Sequence, residues 1–418
     1  MLLADQAQGM TNGRVSRDAA LIYVAAFLRS SAVGLVGVVL AIYLGQIGLS
    51  AITIGLVIGA GLAGGAVATV LVGLHGDAFG RRRSLIALGV LTMGGYAAVA
   101  MSSHVTMVVA AAFFGMLNGM GRDRGAASAL DQAVLPATAP SNQRTWALAW
   151  YNVVLDGGHA IGALAGATPG LLTRATHLDP IEAHRVTFWL CGAATLLGTV
   201  PYFALTRRVE AEGSGPSLGN VRLTAKSRVA VTRLALLFGI DSIGGGVLNS
   251  ALIAYWFFQR YGTSEAQLAV LFFAARILNA ASHVAAAWLA RRIGLVNTMV
   301  FTHLPSSLFL MAAPAAPTAG VAGALFLARE ALVEMDVPTR QSYVMAIVQP
   351  SERTFASGVT NVTRNVSWAI GPSVAGFVMQ RVALAVPLFI GGALKILYDV
   401  TLYVSFRHIR PPEEAVSS

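Results

Sequence analysis

A chain of 418 residues that is 56% hydrophobic and only 11% charged, with a mean hydropathy of +0.66, lies outside the soluble globular range, where about 25% of residues are charged. That excludes a string of soluble domains. The formal net charge of +10 would suit a nucleic-acid surface, but away from the ends of the apolar segments seven basic and seven acidic side chains cancel, so the whole surplus sits in span ends, loops and tails.

Apolar runs of about 20 residues, the length a helix needs to cross the hydrocarbon core, recur along the chain. They read as twelve spans over 19–44, 51–72, 84–103, 106–133, 145–170, 186–206, 231–258, 264–290, 295–313, 318–346, 354–380 and 382–406. Residues 1–18 are polar and lack a charged-then-apolar leader, so the first apolar segment is expected to be retained as a helix. Numbering the loops alternately from a cytoplasmic N-terminus puts Arg81, Arg82, Arg83, Arg144, Arg207, Arg208, Arg222, Lys226, Arg228, Arg291, Arg292, Arg340, Arg353, Arg407 and Arg410 on one side. The other side holds only Arg174, Arg185, Arg260 and Arg381. This asymmetry follows the positive-inside rule. It accounts for the charge without nucleic acid and implies an inner or plasma membrane with both termini in the cytoplasm. Cys191 is the only cysteine, so no intrachain disulfide can form.

The turn between the second and third spans reads Gly73-Leu74-His75-Gly76-Asp77-Ala78-Phe79-Gly80-Arg81-Arg82-Arg83. Taken alone, such a basic loop does no more than set orientation. Its spacing, however, resembles the cytoplasmic signature between helices two and three of the major facilitator superfamily. Gly73, Asp77, Gly80, Arg81 and Arg82 match, while His75 and Ala78 replace the family's usual apolar residue and Arg. The resemblance implies an all-α membrane protein with twelve transmembrane helices in two pseudo-symmetric six-helix bundles, whose first, fourth, seventh and tenth helices line a central cavity. It also implies a gating role for the matched residues, with Asp77 facing the N-terminal end of the eleventh span and Arg81 pairing with Asp131.

Residues 207–230 are the one long polar interruption, and their Glu-Gly-Ser-Gly-Pro stretch suits a flexible cytoplasmic linker. The expected division is an N-terminal bundle over 1–206, the linker, and a C-terminal bundle over 231–418. The halves repeat one another. Arg144-Thr145-Trp146-Ala147, Asn152 and Ala160-Ile161-Gly162 return 209 residues later as Arg353-Thr354-Phe355-Ala356, Asn361 and Ala369-Ile370-Gly371, as in transporters built from parallel repeats. Gly158, Gly162, Gly166 and Gly170 form a stripe that lets another backbone approach. Gly371-Pro372 and Gly376 resemble the glycine-proline motif of the superfamily's drug/proton-antiporter branch, although Ala163 stands where the fifth helix would carry proline.

An ionisable side chain at mid-bilayer costs roughly 2.5–3.5 kcal/mol on insertion scales, so the charges within the spans need a reason. Lys395 and Asp399, four apart, can pair with each other. The remainder concentrate on the fourth span (Arg122, Asp123, Arg124) and the tenth (Arg329, Glu330, Glu334, Asp336), joined by Arg29 and Asp241 from the first and seventh. On a continuous tenth helix, Glu330 and Glu334 share a face. These nine are the candidates for substrate binding or coupling, against the alternative of structural ion pairs. Asp156 and His159, three apart, could share a proton as a relay or form a plain polar pair, and Arg276 and Arg364 lie on the eighth and eleventh spans. No Gly-Lys-Ser/Thr phosphate loop and no Cys/His metal spacing occurs, and no soluble region could house a catalytic domain. The expectation is a monomeric, non-enzymatic transporter without cofactor or metal, moving a small polar or charged solute by proton-coupled efflux, its partners being the solute, protons and the lipid bilayer. A uniporter, an anion exchanger or a non-transporting receptor is the alternative.

Overall fold

The computed structural model describes residues 16–138, 144–210, 224–336, 339, 340, 343 and 353–406. Helices α1 (Arg17–Gln46), α2 (Ala51–Phe79), α3 (Arg81–Met101), α4 (Val105–Gly115), α5 (Ala126–Val134), α6 (Arg144–Ala165), α7 (Thr168–Thr176) and α8 (Pro180–Phe203) form the first bundle. Helices α9 (Ala225–Val247), α10 (Ser250–Tyr261), α11 (Glu265–Ile293), α12 (Leu295–Ala312), α13 (Ala319–Val333), α14 (Arg353–Arg381) and α15 (Val386–Phe406) form the second. There is no strand among the described residues. Eight apolar stretches there are long enough to cross a membrane. The twelve-span reading is consistent with these elements. Of the other four spans, the fourth and tenth are broken or cut short, and the fifth and eleventh are the continuous but more polar helices α6 and α14.

The breaks set the geometry of the centre. The fourth span leaves the helix at Met116, which adopts a left-handed φ of 53°, and Gly121 follows at φ 65°. Asn118 holds the interruption together: its amide donates to the Arg122 carbonyl at 2.6 Å and its Oδ1 accepts from the Met120 amide at 2.9 Å. The seventh span breaks at Leu248, and Asn249 restarts it by accepting from the Leu252 amide at 3.0 Å. The two breaks meet across the bundles. The Ala251 amide donates to the Gly119 carbonyl at 3.0 Å, and Ser250 Oγ donates to the Met120 carbonyl at 2.9 Å. The tenth span is interrupted, α13 ending at Val333 and Glu334 and Met335 forming a turn before helical backbone returns at Asp336, so Glu334 and Asp336 do not continue the faces of α13 as an unbroken span would have placed them. That arrangement frees backbone polar groups inside the membrane only where they meet one another or line a cavity.

Small residues set the helix contacts. A Cβ at Gly162 would collide with the Ser31 carbonyl, and one at Gly158 with Ser30, so this half of the stripe lies against α1. Gly371 packs against Gly246 in its own bundle, while Gly55 and Gly376 bring α2 against α14 from the other. Expectations for the linker interior (211–223), for Arg222, Arg407 and Arg410, and for the side chains of Arg144, Arg208, Lys226 and Arg353 fall outside the described residues or side chains.

Gly162→Leu is expected to lower the thermal unfolding midpoint of purified protein, because overpacking costs typically about 1–3 kcal/mol. Gly65→Ala, where a Cβ meets nothing within 4 Å, should leave it unchanged. Equal melting of the two would contradict the packing.

Candidate functional site: a charged central cavity

The bundles face one another across about 1720 Å³ of empty space, its open mouth included. At one end they touch directly. The Ile52 amide donates to Gln380 Oε1 at 3.0 Å, Tyr255 lies over Gly45, and His184 Nε2 stands 3.0 Å from Glu265 Oε1. Behind these, Trp256, Phe257, Phe272 and Phe326 pack edge-on into a plug. Towards the other end, which carries Arg81–Arg83, the lining runs on to Thr69 and Leu85. The chamber is therefore closed opposite the basic loops and open towards them. A second, apolar groove runs between Leu56–Leu71 of α2 and Val362–Val374 of α14, and shares Ala66, Thr69 and Asn365 with the chamber.

All nine sequence candidates line this chamber: Arg29, Arg122, Asp123, Arg124, Asp241, Arg329, Glu330, Glu334 and Asp336. Their pairing is specific. Arg29 reaches Asp123 Oδ2 at 2.6 Å and Asp131 Oδ2 at 2.8 Å, and Tyr151 and Tyr202 also donate to the Asp131 carboxylate. Arg122, held in the interruption of the fourth span, pairs with Glu334 and comes within 4.0 Å of Glu330, whose other oxygen takes Arg329. Arg124 lies 3.6 Å from Glu334 and 5.6 Å from the Trp368 ring. The pairs from Arg122 and Arg124 join one bundle to the other.

Several expected pairings are corrected. Asp131 does not meet Arg81: it is fully buried against Arg29, and Arg81 instead donates to Asp77 Oδ1, four residues earlier, at 2.7 Å. The turn from α2 into α3 points Asp77 back along its own helix, half exposed, and a buried guanidinium is the stronger claim on a buried carboxylate. Arg81 and Arg82 also donate their amides to the Glu210 carboxylate at 2.7 and 3.3 Å, which caps α3 beside Gly80 at φ 99°. Nothing lies within 4 Å of a Cβ at Gly73. Lys395 and Asp399 do not pair with each other. Lys395 Nζ takes Asp241 Oδ1 at 2.7 Å, and Asp399 takes His303 Nδ1 at 3.0 Å. Position on one helix brought them near, but partners on α9 and α12 face the bundle interior, where the charge must be neutralised. Arg340, expected in a loop, is buried and pairs with Asp336 at 2.6 Å and Asp241 at 3.3 Å.

His159 and Asp156 stay 3.9 Å apart. His159 Nε2 accepts from the Asp123 amide at 2.7 Å, so the ring hydrogen sits on Nδ1, towards Asp156. Arg276 and Arg364 also line the chamber. Their charge was visible in the sequence, but nothing in it marked the two apart from helix-pairing residues. Cys191 is buried and free. No group of three or more His, Cys, Asp or Glu among the described residues could hold a metal ion.

The arrangement, two helical bundles around a charged chamber open at one end, is that of a membrane transporter. The Major Facilitator Superfamily model matches residues 22–372 and again 234–418, and the chain belongs to that family. It is 24% identical over 422 residues to the Saccharomyces cerevisiae membrane protein YJR124C, covering 94% of each chain. Its fold is similar to that of the nucleoside transporter NupG at 13% identity and TM-score 0.72, covering 94% of this chain and 99% of that one. It is also similar to the partially occluded inward-open xylose transporter XylE from E. coli, at 14% identity, TM-score 0.70 and coverage of 95% and 98%.

Asp241→Asn should destabilise the protein by about 3–5 kcal/mol, since it strands Lys395 in the interior and leaves Arg340 to Asp336 alone. Adding Lys395→Gln should restore part of the loss in a double-mutant cycle read by thermal unfolding. Additive losses would show the pair to be unimportant.

Proposed function

We propose that this chain moves a small polar or charged solute out of the cell by alternating access, in exchange for protons, as in the superfamily's antiporters. One observation carries the reading: a chamber lined with intramembrane charge is sealed at one end by contacts between the bundles and open at the other. Intramembrane ionisable residues mark a solute path by default, and a chamber open on one side is one half of an alternating-access cycle. The named solutes of the similar folds, nucleosides and xylose, are polar, which fits a polar cargo here. The nine lining candidates would bind solute or couple protons. Asp131 is the coupling carboxylate best supported by its surroundings, because protonating it would leave Arg29 held by Asp123 alone, and Asp156 with His159 would relay the proton.

The open mouth carries Arg81, Arg82, Arg83, Arg207, Arg228, Arg291 and Arg292, which supports a cytoplasmic position for that end, both termini inside, and an inner or plasma membrane. The halves over 1–206 and 231–418 would rock as bodies joined by 207–230, and the protein would work as a monomer without enzymatic activity. In the opposite, outward-open state the Asp77–Arg81 loop would brace α2 against α14. Uniport or anion exchange is the second reading, favoured by the surplus of basic side chains around the chamber.

Purified protein in liposomes tests this. An imposed pH gradient should drive solute accumulation, and Asp131→Asn should leave solute counterflow while abolishing the pH response. Asp77→Asn should slow transport roughly tenfold, or about 1.4 kcal/mol of barrier, with insertion unaffected. Counterflow indifferent to a pH gradient in the unmodified protein would favour uniport or exchange, and no flux of any solute would end the transporter reading.

A further inference from the structure

Eight basic side chains line the chamber against five acidic ones. Every one of those carboxylates is already engaged. Asp123 takes Arg29, Glu330 takes Arg329, Glu334 takes Arg122 and Arg124, and Asp241 and Asp336 take Lys395 and Arg340. Two guanidinium groups of the lining are left without a carboxylate among the described residues: Arg276 of α11 and Arg364 of α14. Both are more than nine-tenths buried, at 8% and 9% exposure. Arg276 has one hydrogen-bond partner, Ser250 Oγ at 3.0 Å, and its Nε has none; the Nε of Arg364 is likewise unpartnered. Arg364 lies 4.7 Å from the Trp368 ring, and Arg124 approaches that same ring from the other bundle.

Removing one partner of a buried charge pair is strongly destabilising because the remaining charge is uncompensated. Two such charges facing one chamber call for a counter-charge supplied from outside the chain. The planar guanidinium fork matches carboxylate and phosphate oxygens two at a time, and an aromatic ring beside it suits a flat or apolar body attached to the anion.

We infer that Arg276 and Arg364, with Arg124 and Trp368, form an anion subsite, and that the solute is an organic anion bearing a carboxylate or phosphate beside an apolar body. This deepens, and rests on, the transport reading above. Because Arg124 belongs to the first bundle and Arg276 and Arg364 to the second, an anion held among them binds best when the bundles are close. Such differential affinity is what allows a ligand to shift a conformational equilibrium. The groove between α2 and α14, continuous with the chamber through Ala66, Thr69 and Asn365, gives the apolar body a route from the bilayer as well as from water.

The test is binding to the purified full chain, read by thermal stabilisation and by calorimetry, with benzoate, phenyl phosphate, dodecyl phosphate and benzylammonium as probes. Benzoate or a phosphate ester should bind and benzylammonium should not. Preference for phenyl phosphate over dodecyl phosphate places the source of the solute in water, and the reverse places it in the bilayer. Arg276→Met and Arg364→Met should each weaken anion binding about tenfold or more, yet melt without ligand at or above the temperature of the unmodified protein, as expected when an unpaired buried charge is replaced by an apolar side chain. Binding of benzylammonium as tight as that of the anions, undiminished anion affinity in both variants, or variants that fail to fold would each overturn the assignment. Binding is read without flux, so the two readings fail separately. Anion binding without liposome counterflow would remove the transporter and keep the subsite, whereas benzylammonium flux without anion binding would do the reverse.

Discussion

The pairing of charges inside an apolar bundle is the constraint on which this architecture rests. A charged side chain standing alone in hydrocarbon is costly, and Arg29, Arg122, Arg329, Arg340 and Lys395 each have a carboxylate within reach, Arg276 and Arg364 being the exceptions among the described residues of the chamber wall. The helices are cut to allow it. A continuous fourth span would point Arg122, Asp123 and Arg124 in three directions; the interruption from Met116 to Gly125, pinned by Asn118, brings Asp123 to Arg29 and both arginines to Glu334. The interruption after Val333 does the same for Glu334.

The interface between bundles is divided by chemistry. Towards the closed end, glycine and main-chain contacts predominate, as where Gly55 and Gly376 bring α2 onto α14. Such contacts gain dispersion energy at short range and suit helices in lipid, where no hydrophobic force drives association. Around the chamber, the contacts between bundles are ionic, from Arg122 and Arg124 to Glu334. Within each bundle the ion pairs are closed sets, Arg29 with Asp123 and Asp131 in the first, Lys395 and Arg340 with Asp241 in the second. Each bundle can thus keep these pairs while the two move, and it is Arg122, Arg124 and Glu334 that must follow the motion.

Span positions and the concentration of charge on the fourth and tenth spans were legible in the sequence, because hydropathy reports burial in lipid residue by residue. All nine candidates proved to line one chamber. Pairing was much less legible. The spacing of Lys395 and Asp399 suggested a mutual bond, but a residue's partner is chosen by neighbouring helices, and Asp241 and His303 come from 154 and 96 residues away. Asp131 was assigned to Arg81 through resemblance to a loop signature, when the burial of Asp131 commits it to Arg29. Glu210 was hidden in a stretch read as linker, since a capping role depends on where the chain returns and not on its composition. Arg340 is grouped with the loop arginines in the sequence although the span over 318–346 runs past it, since hydropathy carries no sign of its pairs with Asp336 and Asp241.

The touching breaks at Gly119 and Ala251 lie beside Arg122 and thus beside the ionic bridge between bundles. If the bundles swing about that point, it acts as a fulcrum, and the bridge sits on a short lever arm. A displacement of many ångströms at either mouth then becomes a small adjustment where guanidinium meets carboxylate. The most expensive bonds in the molecule to break would therefore be the ones that the swing strains least.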